Sequence, residues 1–96
     1  MAEYMLTGKA EQDLSDIIEY TKTRWGRSQT SIYIDSIEAR CQMLADNPSI
    51  GKGCDDIANE LMRHPIGSHV IYYIRQGQDI SIIRILYKRM LPSKHL

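Results

Sequence analysis

The 96-residue chain predicts an α+β fold in the order β-α-α-β-β-β, with a helical hairpin packed on one face of a small, mainly antiparallel sheet. Three observations point there. Apolar residues recur at helical spacing from Ala10 to Ala45, they alternate at period two from His69 to Tyr87, and Gly/Pro breaks separate the two patterns. The length suits one domain, residues 1–96, with one modest core.

The first strand is expected at Glu3–Leu6, followed by a turn at Thr7 and Gly8. Ala10, Leu14, Ile17, Ile18 and Thr21 then define an amphipathic helix, capped by Thr7 and ending near Arg24. Early acids and late cations suit its dipole. Trp25 is expected to close the core, and Gly26 to take a left-handed C′ conformation. Ser28 is placed to cap a second helix through Ile34, Ile37, Cys41 and Leu44, stopped by Asn47 and Pro48. The short connection predicts an antiparallel helical pair. Tyr33, Ile37 and Leu44 are expected to face the first helix or the sheet, and Asp35, Glu38 and Asp46 to face water.

Residues 49–59 break the pattern and read as a surface loop, with a short helical turn at Asp56–Asn59. A strand at Glu60–His64 and a turn at Pro65–Gly67 precede the central hairpin. Its arms are His69–Arg75 and Ile80–Tyr87, closed by Gln76–Asp79 with Gly77 supplying a positive φ. In the second arm Ile80, Ile82, Arg84 and Leu86 share one face by strict alternation. Neither face of the hairpin is polar throughout, so both need a cover. Helices can supply one; the other calls for the C-terminal segment, a second protein, or both.

The formal net charge of zero conceals an asymmetry. Residues 1–48 carry five Lys/Arg against eight Asp/Glu, net −3, and residues 49–96 carry seven against four, net +3. The basic half coincides with the sheet and would attract an acidic partner. The excess is too small for direct high-affinity binding of duplex DNA. No apolar run approaches the ~20 residues of a membrane span, and no secretory leader is visible, so a soluble cytoplasmic protein is expected. Cys41 and Cys54, without metal-type spacing, read as reduced and structural. No metal site or cofactor motif is present in the sequence.

RNA cleavage requires a base, an acid and cations for the charge that develops on phosphate. Arg63, Arg75, Arg84, Tyr87, Lys88, Arg89 and His95 supply those residue types. Arg63 and Arg84 could equally pair with Asp55, Asp56, Glu60 or Asp79 and hold the sheet. Tyr72 and Tyr73 read as core or rim aromatics.

Four stretches in order, AEQDLSDIIEYTKTRWG, ADNPSIGKG, LMRHPIGSHVIYYI and IIRILYKRMLPSKHL, resemble toxins of the ParE/RelE superfamily over nearly the whole chain. The ending is similar to the ParE branch, whose tail reads histidine, any residue, Arg-Met-Asp, a spacer and His-Leu. Arg89, Met90, His95 and Leu96 match that pattern, while Tyr87 and Leu91 replace its histidine and aspartate.

The resemblance implies a non-enzymatic inhibitor of DNA gyrase, with a ribosome-dependent endoribonuclease of the RelE type as the alternative. It also implies a cognate ParD-like antitoxin whose disordered acidic segment folds over the toxin, forming a hetero-oligomer. Arg89, Met90, Pro92, Lys94, His95 and Leu96 are the expected gyrase-binding residues. Tyr73, Arg75, Ile82, Arg84 and Leu86 are the expected antitoxin surface. Under the nuclease alternative, Arg63, Arg84, Tyr87, Arg89 and His95 would carry the chemistry.

Overall fold

A computed structural model describes residues 2–96. Its elements are β1 (Tyr4–Leu6), α1 (Gly8–Asp46), a 3₁₀ turn (Pro48–Ile50), β2 (Lys52–Gly53), β3 (Met62–Ile66), β4 (His69–Gln76), β5 (Asp79–Tyr87) and α2 (Pro92–His95). The sheet order is β1-β5-β4-β3-β2. β1 runs parallel to β5, and every other pair is antiparallel.

α1 is continuous in sequence but not straight. A 39-residue helix would extend ~58 Å at 1.5 Å per residue, whereas the longest dimension of the molecule is 37 Å. The break is at Gly26, with φ 84° and ψ 174°. Two arms, residues 8–25 and 27–46, therefore fold back on each other as the expected helical pair. Gly26 has the positive φ foreseen for it, but its ψ is extended rather than left-handed helical. The Thr7 hydroxyl accepts from Ala10 N–H at 3.1 Å and caps the first arm as expected. Ser28 does not cap the second arm, because it already lies inside the helix. There the Gly26 carbonyl accepts from the Thr30 hydroxyl at 2.7 Å. Trp25 does not close the core either: at the helical corner it is 64% exposed.

Ala10 and Ile17 from the first arm, and Ile37, Cys41 and Leu44 from the second, pack on Ile71, Tyr73, Ile80, Ile82 and Ile85. The Tyr73 hydroxyl closes this layer, donating to the Pro48 carbonyl at 2.7 Å and accepting from Gly51 N–H at 3.0 Å. A Cβ at Gly51 would fall 2.7 Å from Cζ of that ring, which is why glycine stands there. Cys41 and Cys54 are both buried free thiols. Burial pushes the Cys41 thiol up to about 12, so it packs as an unreactive apolar group.

The opposite face of the sheet is covered in part by the chain itself. Cys54 and Leu61, with Ile57 beside them, pack on Tyr72, Leu86, Val70, Ile74 and Ile83. That cover comes from the loop after α1 rather than from the C-terminal segment, and it leaves Ile57, Val70, Ile74 and Ile83 half-buried. The stretch read as a surface loop lies over part of the sheet, and it includes the short β2 paired with β3. Pro65 lies within β3 rather than ending it, beyond the reach of β2, where the strand edge needs no N–H. The hairpin turn is tighter than expected, since Gln76 pairs with Asp79 and only Gly77 and Gln78 are left to turn.

One irregularity governs the faces. Tyr72 pairs with Arg84 and Tyr73 with Ile82, leaving Ile83 as the extra residue of a β-bulge. Alternation resets there. Ile82 and Ile85 face the helices while Leu86 faces the loop, so Ile82 and Leu86 do not share the face that strict alternation assigns them.

Candidate functional site

Beyond the end of β1, Arg84 of β5 meets Asp13 of the first helical arm. Its guanidinium forks onto Asp13, with Nε to Oδ2 at 2.7 Å and Nη2 to Oδ1 at 2.8 Å. Both side chains are largely shielded from solvent, and pairing with the carboxylate pushes the Arg84 pKa up. Asp13 Oδ2 also accepts from Ile85 N–H at 3.0 Å, occupying a strand N–H beyond the end of β1. The remaining Arg84 nitrogen, Nη1, donates to the main-chain carbonyl of His95. One carboxylate thus ties together the first arm, β5 and the end of the chain.

After Tyr87 the chain turns through Lys88 N–H to the Ser68 carbonyl, 2.9 Å, and Met90 N–H to the Tyr87 carbonyl, 2.8 Å. Pro92 opens α2, where a missing N–H is harmless. Tyr87, Lys88, Arg89, Met90, Leu91, Lys94, His95 and Leu96 are all exposed, and Pro92 is half-buried. The expected gyrase-binding residues therefore form one continuous basic and apolar segment.

A groove of two adjoining hollows, about 520 and 440 Å³, lies between this segment and the first helical arm. Tyr20, His69 and Tyr87 line both hollows. Arg84, Met90 and His95 border the one near the C-terminus, and Arg24, Trp25 and Tyr33 the other. His69 lies at the base of the groove, its Nδ1 2.6 Å from the Tyr33 hydroxyl and its ring edge-on to Tyr87 at 5.7 Å. Burial lowers the His69 pKa, partly offset by Asp13. Tyr20 is 59% exposed, and the Arg24 guanidinium stands 5.9 Å over its ring.

Of the residues named for RNA cleavage, Arg84, Tyr87 and His95 line one hollow, while Arg63 and Arg89 line neither. Arg63 is exposed on β3 and sits against Tyr72 and Cys54, on the loop side of the sheet. Arg84, opposite Tyr72 in the strand register, is paired with Asp13. His95 meets Arg84 through its carbonyl, not its imidazole. The expected antitoxin surface is also divided: Tyr73 and Ile82 are buried beneath the helices and Leu86 beneath the loop, while Arg75 is exposed. Asp13, Tyr20, Trp25, Tyr33 and His69 were not singled out as site residues by sequence reasoning. Tyr20 and Arg24, one helical turn apart beside Trp25, carried the one usable signal.

Residues 4–92 match the family described as ParE toxin of type II toxin-antitoxin system, parDE. The chain is 35% identical to Toxin ParE1 of Caulobacter vibrioides over 96 residues, spanning 100% of this chain and 99% of that protein. It is 31% identical to Toxin ParE1 of Mycobacterium tuberculosis over 96 residues, covering 99% of this chain and 98% of the other. Toxin ParE of Escherichia coli is 32% identical over 91 residues, with 94% and 88% covered. A solved structure titled chromosomal ParDE TA system from P. aeruginosa shares the fold, with TM-score 0.77 and 19% identity, covering 91% of this chain and 96% of that one. The chain belongs to the ParE toxin family of type II toxin-antitoxin systems.

Proposed function

We propose that this ParE-family toxin acts in the cytoplasm by binding DNA gyrase through its C-terminal segment, and that a cognate ParD-like antitoxin neutralises it. One observation carries the reading: Arg89, Met90, Lys94, His95 and Leu96 present side chains to solvent from a backbone fastened to the body. A fastened segment of cations and apolar groups can bind a macromolecule with little ordering cost. Engagement of the Arg84 guanidinium by Asp13, and the position of Arg63 outside the hollow that Arg84, Tyr87 and His95 line, favour this reading over RNA cleavage.

With the helix face of the sheet buried and the other face half covered, we assign the antitoxin to the groove. Tyr20, Trp25 and Met90 supply exposed apolar contacts there, and Arg24 supplies charge for an acidic segment. A segment that folds on binding needs such area to offset its ordering. Seated there, it would cover the C-terminal segment and block the target.

A supercoiling assay with purified gyrase tests the target. Linear DNA trapped by the toxin, and released by prior addition of antitoxin, is the expected result. Normal supercoiling together with cleavage of ribosome-bound message would overturn it in favour of the nuclease.

A further inference from the structure

We infer that Asp13 is a positioning residue: through Arg84 it anchors the C-terminal segment by its backbone, leaving that segment's side chains free for a partner. The anchoring stands on geometry alone; its use in toxicity rests on the gyrase reading above.

The clamp has three points. Asp13 holds Nε and Nη2 of Arg84 in a bidentate fork, which fixes the plane of the guanidinium. That leaves Nη1 aimed at the His95 carbonyl. Asp13 itself is fixed by Ile85 N–H, so the fork cannot swing with the side chain.

The grip is on a main-chain carbonyl, and that choice has a consequence. Met90, Leu91, Lys94, His95 and Leu96 remain exposed while the segment is held. An autoinhibitory contact would bury those side chains. Here the held state displays them, as a preorganised binding element does. Their identities can also change without loss of the anchor, because none of them makes it.

The test uses the full chain with Asp13→Asn and, separately, Arg84→Lys. The first removes the charge that orients the guanidinium. The second keeps a cation opposite Asp13 but gives up the fork, and it serves if Asp13→Asn folds poorly. Backbone NMR relaxation reads order at Lys94, His95 and Leu96, with core amides of β4 as internal reference. Both variants are expected to lose order at those three positions while β4 is unchanged, and to trap gyrase about tenfold less well, the segment now being ordered on binding. Wild-type order at the three positions in a folded variant overturns the inference. So does loss of order with trapping at wild-type strength. If the wild-type chain itself fails to trap gyrase, the target reading falls, and loss of order in the variants still supports the anchor.

Discussion

The hydroxyl of Tyr33 lies 2.6 Å from Nδ1 of His69 and also accepts the Ser68 N–H at 3.2 Å, tying the second helical arm to the start of β4. Burial lowers the His69 pKa against a smaller upward pull from Asp13. Burial, with Arg40 beside it, lowers His64 as well. Arg40 donates to His64 Nε2 at 2.8 Å, which requires that nitrogen to be unprotonated.

Both imidazoles therefore bind protons less readily in the folded chain than in the unfolded one. Their contribution is complete above the unfolded value of ~6.5 and is lost as pH falls from there through the depressed folded values. Thermal unfolding should show a Tm that declines between about pH 7 and pH 5. A His64→Gln, His69→Gln double variant should show a shallower decline. An unchanged slope in that variant would assign the pH dependence to other groups.

Gly26 sets the angle between the helical arms. Its φ of 84° with ψ 174° is a conformation reserved for glycine, and a Cβ there would meet nothing within 4 Å. Gly26→Ala therefore isolates backbone strain from packing. The expected loss is about 1–3 kcal/mol, with Tm lowered by ~4–8 °C per kcal/mol in a domain of this size. An undiminished Tm would mean that the corner relaxes into another geometry.

Ile82 separates a surface from a core reading of the sheet. It is fully buried beneath the helices, so Ile82→Lys places an unpaired ammonium in the apolar layer. The expected cost is about 3–5 kcal/mol, a large fraction of the ~5–15 kcal/mol that holds a domain together. Circular dichroism should report lost helix and a lowered or absent thermal transition. A variant that kept its helices and its Tm but bound antitoxin weakly would restore Ile82 to the interface.

That residue also marks where sequence reasoning stopped. The central hairpin was legible because its alternation spans both arms, and the helical pair because Gly26 interrupts a continuous 3.6-residue pattern. The two-sided apolar character was legible too, but not what satisfies it. Cys54, Ile57 and Leu61 stand at i, i+3 and i+7, the spacing of a helical face, but the glycines and the Asp55–Asp56 pair around them read as a surface loop, which hid their cover of the sheet. The bulge at Ile83 is a property of pairing rather than of composition, and it redistributes every side chain after it. Asp13 and Arg84 are 71 residues apart, and only the fold makes them partners. Trp25 misled because a large ring beside a helix end is more often buried.

Trp25 and Tyr20 give the sharpest test of where the antitoxin sits. At 64% and 59% exposure they contribute little to the core, and both line the groove beside Arg24. Truncating either to alanine should change stability by no more than about 0.5 kcal/mol, as at ordinary surface positions. If the groove receives the antitoxin, large aromatics at its rim are the side chains expected to anchor it. Each truncation should then weaken binding by about 2 kcal/mol or more. Ile32, equally exposed at 63% but lining neither hollow, is the control, and Ile32→Ala should bind as wild type. Titration calorimetry with purified antitoxin measures all three. Wild-type affinity in both Tyr20→Ala and Trp25→Ala would move the antitoxin off the first helical arm, leaving the C-terminal segment and the Arg75 end of the hairpin as the surfaces to probe.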